Sequence, residues 1–209
     1  MTEHRTLNTV IHAAFRRDLQ RFDDALDRFD GGSRARADQL SAAWDHFSYQ
    51  LHRHHQDEES FFWPAFAQLG VDTTVVDDLQ GEHDAMVRAL HAADAAMKAF
   101  GADPSATNAG TARHAVVELH LVLDGHLAHE ERDMEPFSAT HKSTKQHKAA
   151  EAAARKAHTE GAGTFFSWLG DGCNVETARA IRREVPAPVL FVMTRLGGRR
   201  YRNIAQAWA

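Results

Sequence analysis

The chain contains one cysteine, Cys173. A lone thiol excludes a disulfide within the chain and any thiolate metal cluster built by a single copy. No apolar run approaches the roughly 18–20 residues that a membrane-spanning helix requires. The N-terminal stretch MTEHRTLNTV lacks the apolar segment of a secretory signal, so a cytoplasmic protein that stays out of membranes is expected. Excess positive charge is missing too. The formal net charge is −5, which leaves no electrostatic case for nucleic acid or an anionic membrane as partner. Nor is there the alternation of apolar and polar residues that marks a half-buried strand. With 209 residues, 43% of them hydrophobic, the chain can bury one sizeable core and still exceeds a minimal bundle. Histidine is what it has in quantity: 15 residues, about one in 14. A merely histidine-rich surface would scatter them, so their positions decide what they are for.

Turn chemistry divides the first two thirds of the chain. Asp30-Gly31-Gly32-Ser33, Leu69-Gly70-Val71-Asp72 and Gly101-Ala102-Asp103-Pro104-Ser105 each combine helix breakers with a residue suited to cap the next helix. Between them the apolar residues recur at helical period. Helix A reads His12, Phe15, Leu19, Phe22, Leu26, Phe29, and helix B reads Leu40, Trp44, Phe47, Leu51, His54, Glu58, Phe61. Helix C reads Val76, Leu79, His83, Met86, Leu90, Ala93, Met97, Phe100, and helix D reads Val116, Leu119, Leu123, His126, Glu130, Met134, Phe137. Four such stripes joined by short connections predict an all-α fold: an up-down four-helix bundle over residues 1–138, with a C-terminal helical extension over 139–209 packing on it.

Glu58 lies in the stripe between Leu51 and Phe61, so it faces the core. An unpaired carboxylate there costs several kcal/mol or is forced neutral, so a cation should accompany it. The pattern around it is duplicated. His54-x-x-x-Glu58-Glu59 with Pro64 recurs 72 residues on as His126-x-x-x-Glu130-Glu131 with Pro136. The preceding helices match at an offset of 71: His12, Phe15 and Leu19 against His83, Met86 and Leu90. Each half is a helical hairpin that donates one lone His and one His-x-x-x-Glu pair. About 19 residues lead from His12 to its turn and about 20 return to His54, and the second hairpin repeats those lengths. At ~1.5 Å rise per residue, His12, His54, Glu58, His83, His126 and Glu130 converge on one layer at one end of the bundle.

A His and a Glu four residues apart share a helix face, so both can hold one metal or two adjacent metals. Imidazoles and carboxylates without thiolate suit Fe, Mn or Zn. The symmetry of the halves argues for two ions with bridging carboxylates. With an oxo or hydroxo bridge, four His and two bridging Glu leave two positions of two octahedral ions open, as a catalytic or gas-binding site requires and a structural site avoids.

At this point the sequence resembles the hemerythrin-like (HHE cation-binding) domain, in particular its longer actinobacterial-type members. The lone His followed by H-x-x-x-E-E ahead of a Pro, twice over, carries the resemblance across roughly residues 5–138. It implies two non-haem iron ions, oxo- or hydroxo-bridged, held by His12, His54, Glu58, His83, His126 and Glu130. The chain departs from the oxygen-carrying members, which place a second His four residues after the helix C ligand, where this chain has Val87. It also has Glu130 where those members use an Asp five residues beyond the helix D His. The departure disfavours reversible oxygen storage and favours binding or reduction of a small diatomic or peroxide ligand: O2, H2O2 or NO. If the protein is an enzyme, it is a di-iron oxidoreductase with peroxidase- or catalase-like or NO-directed activity, and no general acid–base residue stands out beyond the ligands. The alternatives are an iron or oxygen sensor or carrier without turnover, and a metal-stabilised structural bundle.

Other residues receive blander expectations. Glu59 and Glu131 sit about 100° off the ligand face; an interhelical or solvent role is expected, with a hydrogen bond to a ligating imidazole as the alternative. His55 and His129 are expected beside the centre or at the surface more than as ligands. His52, His91 and His120 are expected at the surface or in packing, and His4, His46, His114, His141, His147 and His158 in solvent. Phe61, Phe62, Trp63 and Phe66 are expected in the core. In the extension, Lys142–His158 reads as an exposed helix and Glu176–Glu184 as another. Phe165, Phe166, Trp168 and Phe191 are expected to pack on the bundle, with gating of the site as a hypothesis.

Overall fold

The computed structural model describes residues 6–157 and 161–209, and within them the fold is all-α, a bundle of helices. Helix α1 spans Leu7–Asp27, α2 Arg34–Asp57, α3 Trp63–Gln68, α4 Thr73–Ala102 and α5 Ala106–His141. Side chains fix where the long helices begin. Thr6, Ser33, Asp72 and Ser105 each accept a hydrogen bond from a backbone N–H in the first turn of α1, α2, α4 and α5. Gly31 and Gly32 turn the chain between α1 and α2 at φ of 101° and 83°, a region open to glycine without strain.

The turns that end the two hairpins lie side by side. Gly32 N–H donates to Pro104 O at 3.2 Å, Arg34 donates to the Gly101 and Ala102 carbonyls, and Phe29 meets Phe100 edge to face. Helices of matched length that start back from a common level return to a common level. The sequence stripes are buried as expected: Phe15, Leu19, Phe22, Leu40, Phe47, Leu51, Leu90, Phe100, Val116, Leu119 and Leu123 are all 1% exposed or less. Burying a side chain of this size contributes about 1.5–3 kcal/mol, which is why these stripes and not local propensity hold the helices together.

One expectation needs correcting. The histidine layer is not at the end of the bundle, because α4 and α5 run past it and α3 closes over it. There Trp63, Phe66, Val71, Leu79 and Met134 form a second, smaller apolar cluster, with Phe62 and Phe137 packed against it. The layer is thus held between two dry regions. Phe61 and Phe62, expected in the core, are half-buried, because a π turn over Glu58–Phe62 delays the stripe by one residue and delivers Trp63 to the interior instead.

The extension adds α6 (Lys145–Ala157), α7 (Ala162–Gly170), α8 (Val175–Glu184), α9 (Ala187–Gly197) and α10 (Arg199–Ile204). Its apolar residues join the main core: Trp168, Leu169, Ile181, Tyr201 and Ala207 belong to the same contiguous cluster as Phe15 and Leu19. Trp168 is 0% exposed and its indole N–H donates to Asp18 Oδ2 at 2.6 Å. Arg17 donates to the Trp168 and Asp171 carbonyls, and Arg21 and the Tyr201 hydroxyl both reach Asp171 Oδ2. Phe165 and Phe166 pack on the core as expected, whereas Phe191 is 68% exposed on α9 and plays no such part. Helices α7 and α9 cross at Gly163 and Gly197, so closely that a Cβ on Gly163 would lie 2.6 Å from Gly197 Cα.

Two histidines assigned to solvent are buried: His147 against Phe62 and Phe66, and His46 between Trp168 and Tyr201. Their helical period put them off the main stripe, and the faces they occupy are covered by α6 and by the extension, which periodicity within one helix does not reveal. His4 and His158 lie outside the described residues. Burial, together with the Arg200 and Arg17 charges, lowers His46 to about 4. A histidine whose folded pKa is depressed contributes stability that is present above its unfolded pKa of about 6.5 and lost as pH falls toward the folded value. Between pH 6.5 and 4 that loss reaches about 3 kcal/mol. His46→Phe should remove it, so denaturant unfolding of the variant should fall less steeply with pH than that of the parent. Parallel slopes would refute the assignment.

Candidate metal centre

The six residues singled out from the sequence come together, and a seventh joins them. Ligand-capable atoms of His12, His54, Glu58 and Glu130 lie within 4.8 Å of one another, and so do those of His55, Glu58, His83 and His126. All seven side chains are buried, none more than 8% exposed. Glu58 belongs to both groups, so the two sets adjoin and share a carboxylate.

The hydrogen bonds on the far side of the rings decide what faces the middle. His83 Nδ1 lies 2.9 Å from Glu59 Oε1, His126 Nδ1 3.1 Å from Glu82 Oε2, and His12 Nδ1 3.0 Å from Glu131 Oε1. An ionised carboxylate only accepts, so in each case Nδ1 carries the proton and donates. A neutral ring held this way has a bare lone pair on Nε2. His83 Nε2 and His126 Nε2 nevertheless face each other at 3.1 Å, and His12 Nε2 and His54 Nε2 at 3.2 Å. Between His83 and His126 the opposed lone pairs repel in a dry layer unless a proton or a cation lies between them, and burial, which lowers His126, works against the proton. In the other pair burial and the neighbouring His12 lower His54 well below the usual imidazole range.

The carboxylates point the same way. Glu58 Oε1 lies 3.2 Å from His54 Nε2, and Glu130 Oε2 lies 3.4 Å from His12 Nε2 and 3.8 Å from His126 Nε2. Glu58 Oε2 and Glu130 Oε2 are buried without a hydrogen-bond partner. Burial and the opposing Glu130 carboxylate push Glu58 well above the carboxylate range; Glu130, against the same effect of burial, is held below it by His12 and the other imidazoles. His12 in turn is raised, since its bonds to Glu130 and Glu131 outweigh burial. Protons are thus shared unevenly between two carboxylates and several imidazoles, an arrangement a divalent cation relieves by taking the place of the protons. The donor set, imidazole and carboxylate without thiolate, fits iron, manganese or zinc.

For Glu59 and Glu131 the alternative expectation is the observed one. Glu59 extends from the end of α2 to His83 on α4, and Glu131 extends from α5 to His12 on α1, so each half of the chain orients the lone His of the other. Arg16 fastens Glu131 from outside at 2.6 Å. Glu82, which no sequence pattern marked, accepts from both His126 and His129. His129 therefore supports the centre without entering it. Trp63 stacks on His83 with ring centroids 4.5 Å apart, and Phe15 lies 5.5 Å from His54 on the opposite side.

His55 was expected beside the centre and is instead inside it. One residue from His54, it should point about 100° away on a straight helix. The buried face of α2 is two residues wide, Ala43 with Trp44, His46 with Phe47 and Gln50 with Leu51, and His55 continues it beside His54. A stripe read along a single face does not mark the second column.

The Hemerythrin HHE cation binding domain matches residues 9–137. No curated protein and no solved structure gives a significant match. The matched span contains all seven clustered side chains and the acids that orient them, and it covers well over half of the chain: this protein belongs to the hemerythrin HHE cation-binding domain family.

Proposed function

We propose that the protein is a cytoplasmic, non-haem di-iron protein that binds or reduces small oxidants: O2, H2O2 or NO. The observation that carries this reading is the two adjoining buried groups of ligand atoms that share Glu58, in one of which His83 Nε2 and His126 Nε2 face each other at 3.1 Å while both Nδ1 atoms donate to carboxylates. Such an arrangement suits two cations, one in each group. When bound, iron would supply one-electron redox chemistry and positions for an exogenous ligand.

The chain's own residues do the rest. Glu59, Glu82 and Glu131 hold three imidazoles in one tautomer and one orientation, which raises their basicity as ligands. Phe15 on one side, and Trp63 with Phe66 and Met134 on the other, keep bulk water away, so the charges of the centre act at low dielectric. Among the described residues no helix is long and apolar enough to cross a membrane.

The test is reconstitution of the purified chain with ferrous iron under anaerobic conditions, elemental analysis after desalting, and an optical spectrum before and after exposure to H2O2. About two irons per chain, near-ultraviolet absorption on oxidation and loss of the added peroxide are expected. Retention of zinc in preference to iron, with no colour and no peroxide consumed, would defeat the oxidant reading.

A further inference from the structure

We propose that His55 is a direct ligand, so that the two cation positions are unequal: three imidazoles (His55, His83, His126) hold one and two (His12, His54) hold the other. The proposal rests on the two-cation reading above and adds to it a ligand that neither the duplicated motif nor the Val87 position supplies.

Three observations carry it. A ring nitrogen of His55 lies within 4.8 Å of ligand atoms of Glu58, His83 and His126. The His55 ring is 4.4 Å from that of His83, at 71°, and 5.3 Å from that of His126, an edge-on approach suited to converging nitrogens and not to stacking. Both of its nitrogens are buried without a hydrogen-bond partner, on a residue 5% exposed. Buried polar groups in native proteins are almost always satisfied, and a histidine kept only for packing is readily replaced by an apolar residue. A ring that leaves both nitrogens bare beside two oriented imidazoles has a use for at least one of them.

The buried face of α2 explains how neighbours on one helix both reach the centre. It is two residues wide along its length, with Ala43 beside Trp44, His46 beside Phe47 and Gln50 beside Leu51, and His54 with His55 continues it. Helix α2 therefore supplies His54 and His55, the π turn that follows it supplies Glu58, and α4 supplies His83, while Val87 packs against the main core.

The consequence is a centre with direction. A fifth imidazole would leave fewer positions for an exogenous ligand, and the richer set of donors would be His55, His83 and His126, leaving the side of His12 and His54, where Phe15 lies against His54, the more open one.

The test compares the parent with His55→Gln, and with His52→Gln as a control on the exposed face of the same turn. Each chain is titrated anaerobically with Fe(II), analysed for metal after desalting, and titrated in parallel with Co(II), whose visible absorption reports coordination. Parent and control should hold two cations. His55→Gln should hold the first as the parent does and bind the second more weakly, by more than the roughly 10–100-fold that losing a supporting hydrogen bond costs, with a changed Co(II) spectrum. His55→Gly, which opens a ring-sized space, should recover the second cation on addition of imidazole. Two cations in His55→Gln with parental affinity and spectrum overturn this proposal alone. A parent that holds fewer than two overturns it together with the reading it rests on.

Discussion

Glu58→Gln should cost the protein both cations, not one. Glu58 is the side chain common to the two ligand groups, and a neutral amide replaces two anionic oxygens with one weaker one. Elemental analysis of the reconstituted variant should show little retained iron where the proposed centre of the parent would hold two per chain. Thermal unfolding should show a second effect of opposite sign. In the metal-free parent, Glu58 is a buried carboxyl pushed up by burial and by Glu130. Removing the acid relieves that repulsion, so the metal-free variant should be at least as stable as the metal-free parent. In the metal-loaded state the order reverses. A cation that binds only the folded chain contributes about 2.7 kcal/mol when present at 100 times its Kd. For a chain of this length that is roughly 5–10 °C in Tm for each site, and the variant forfeits it. A Glu58→Gln chain that keeps two irons, or that is the less stable of the two without iron, would contradict the account of Glu58 as the shared ligand.

How much of this could be read from the chain depended on how local each feature is. The stripes from His12 to Phe29 and from Val116 to Met134 are set by helical period, which is a property of neighbours in sequence, and nearly all of those positions are buried. His54, Glu58, His126 and Glu130 follow from the same period plus a duplication. Convergence of the two halves followed from helix length alone, and the Gly32–Pro104 contact is its structural counterpart. What escaped was non-local or aperiodic. Glu82 reaches His126 from another helix at no fixed sequence distance. His55 faces inward because the buried face of α2 is two residues wide, which a stripe read along a single face does not reveal. His46 and His147 are buried by segments more than a hundred residues away or on a separate helix. The cap over the centre, closed by the short helix α3, was likewise invisible to an argument that counted residues between turns.

The extension was the least legible part, and the largest packing effect is expected there. Trp168→Ala removes a side chain that is 0% exposed and touches Phe15 at 5.3 Å between ring centroids. Large aromatic-to-alanine changes in a core cost about 3–5 kcal/mol. Here the loss also takes the indole N–H from Asp18, a carboxylate 2% exposed that is left with Arg17 and Arg21. A fall in Tm of roughly 10 °C follows for a chain of this size. Its shape is as informative as its magnitude. Trp168, Leu169 and Tyr201 share one apolar cluster with Phe15 and Leu19, so bundle and extension should unfold together, in a single calorimetric transition displaced as a whole. An appended module would behave otherwise, melting early while the transition of the bundle stayed where it was. Phe15 also lies against His54. Loosening Trp168 should therefore speed the loss of iron to a chelator, even at temperatures where the variant is fully folded, whereas Trp168→Phe, which keeps most of the contact with Phe15, should release iron at nearly the parental rate. Equal release rates in Trp168→Ala and the parent would confine the extension to stability and remove it from any role in access to the centre.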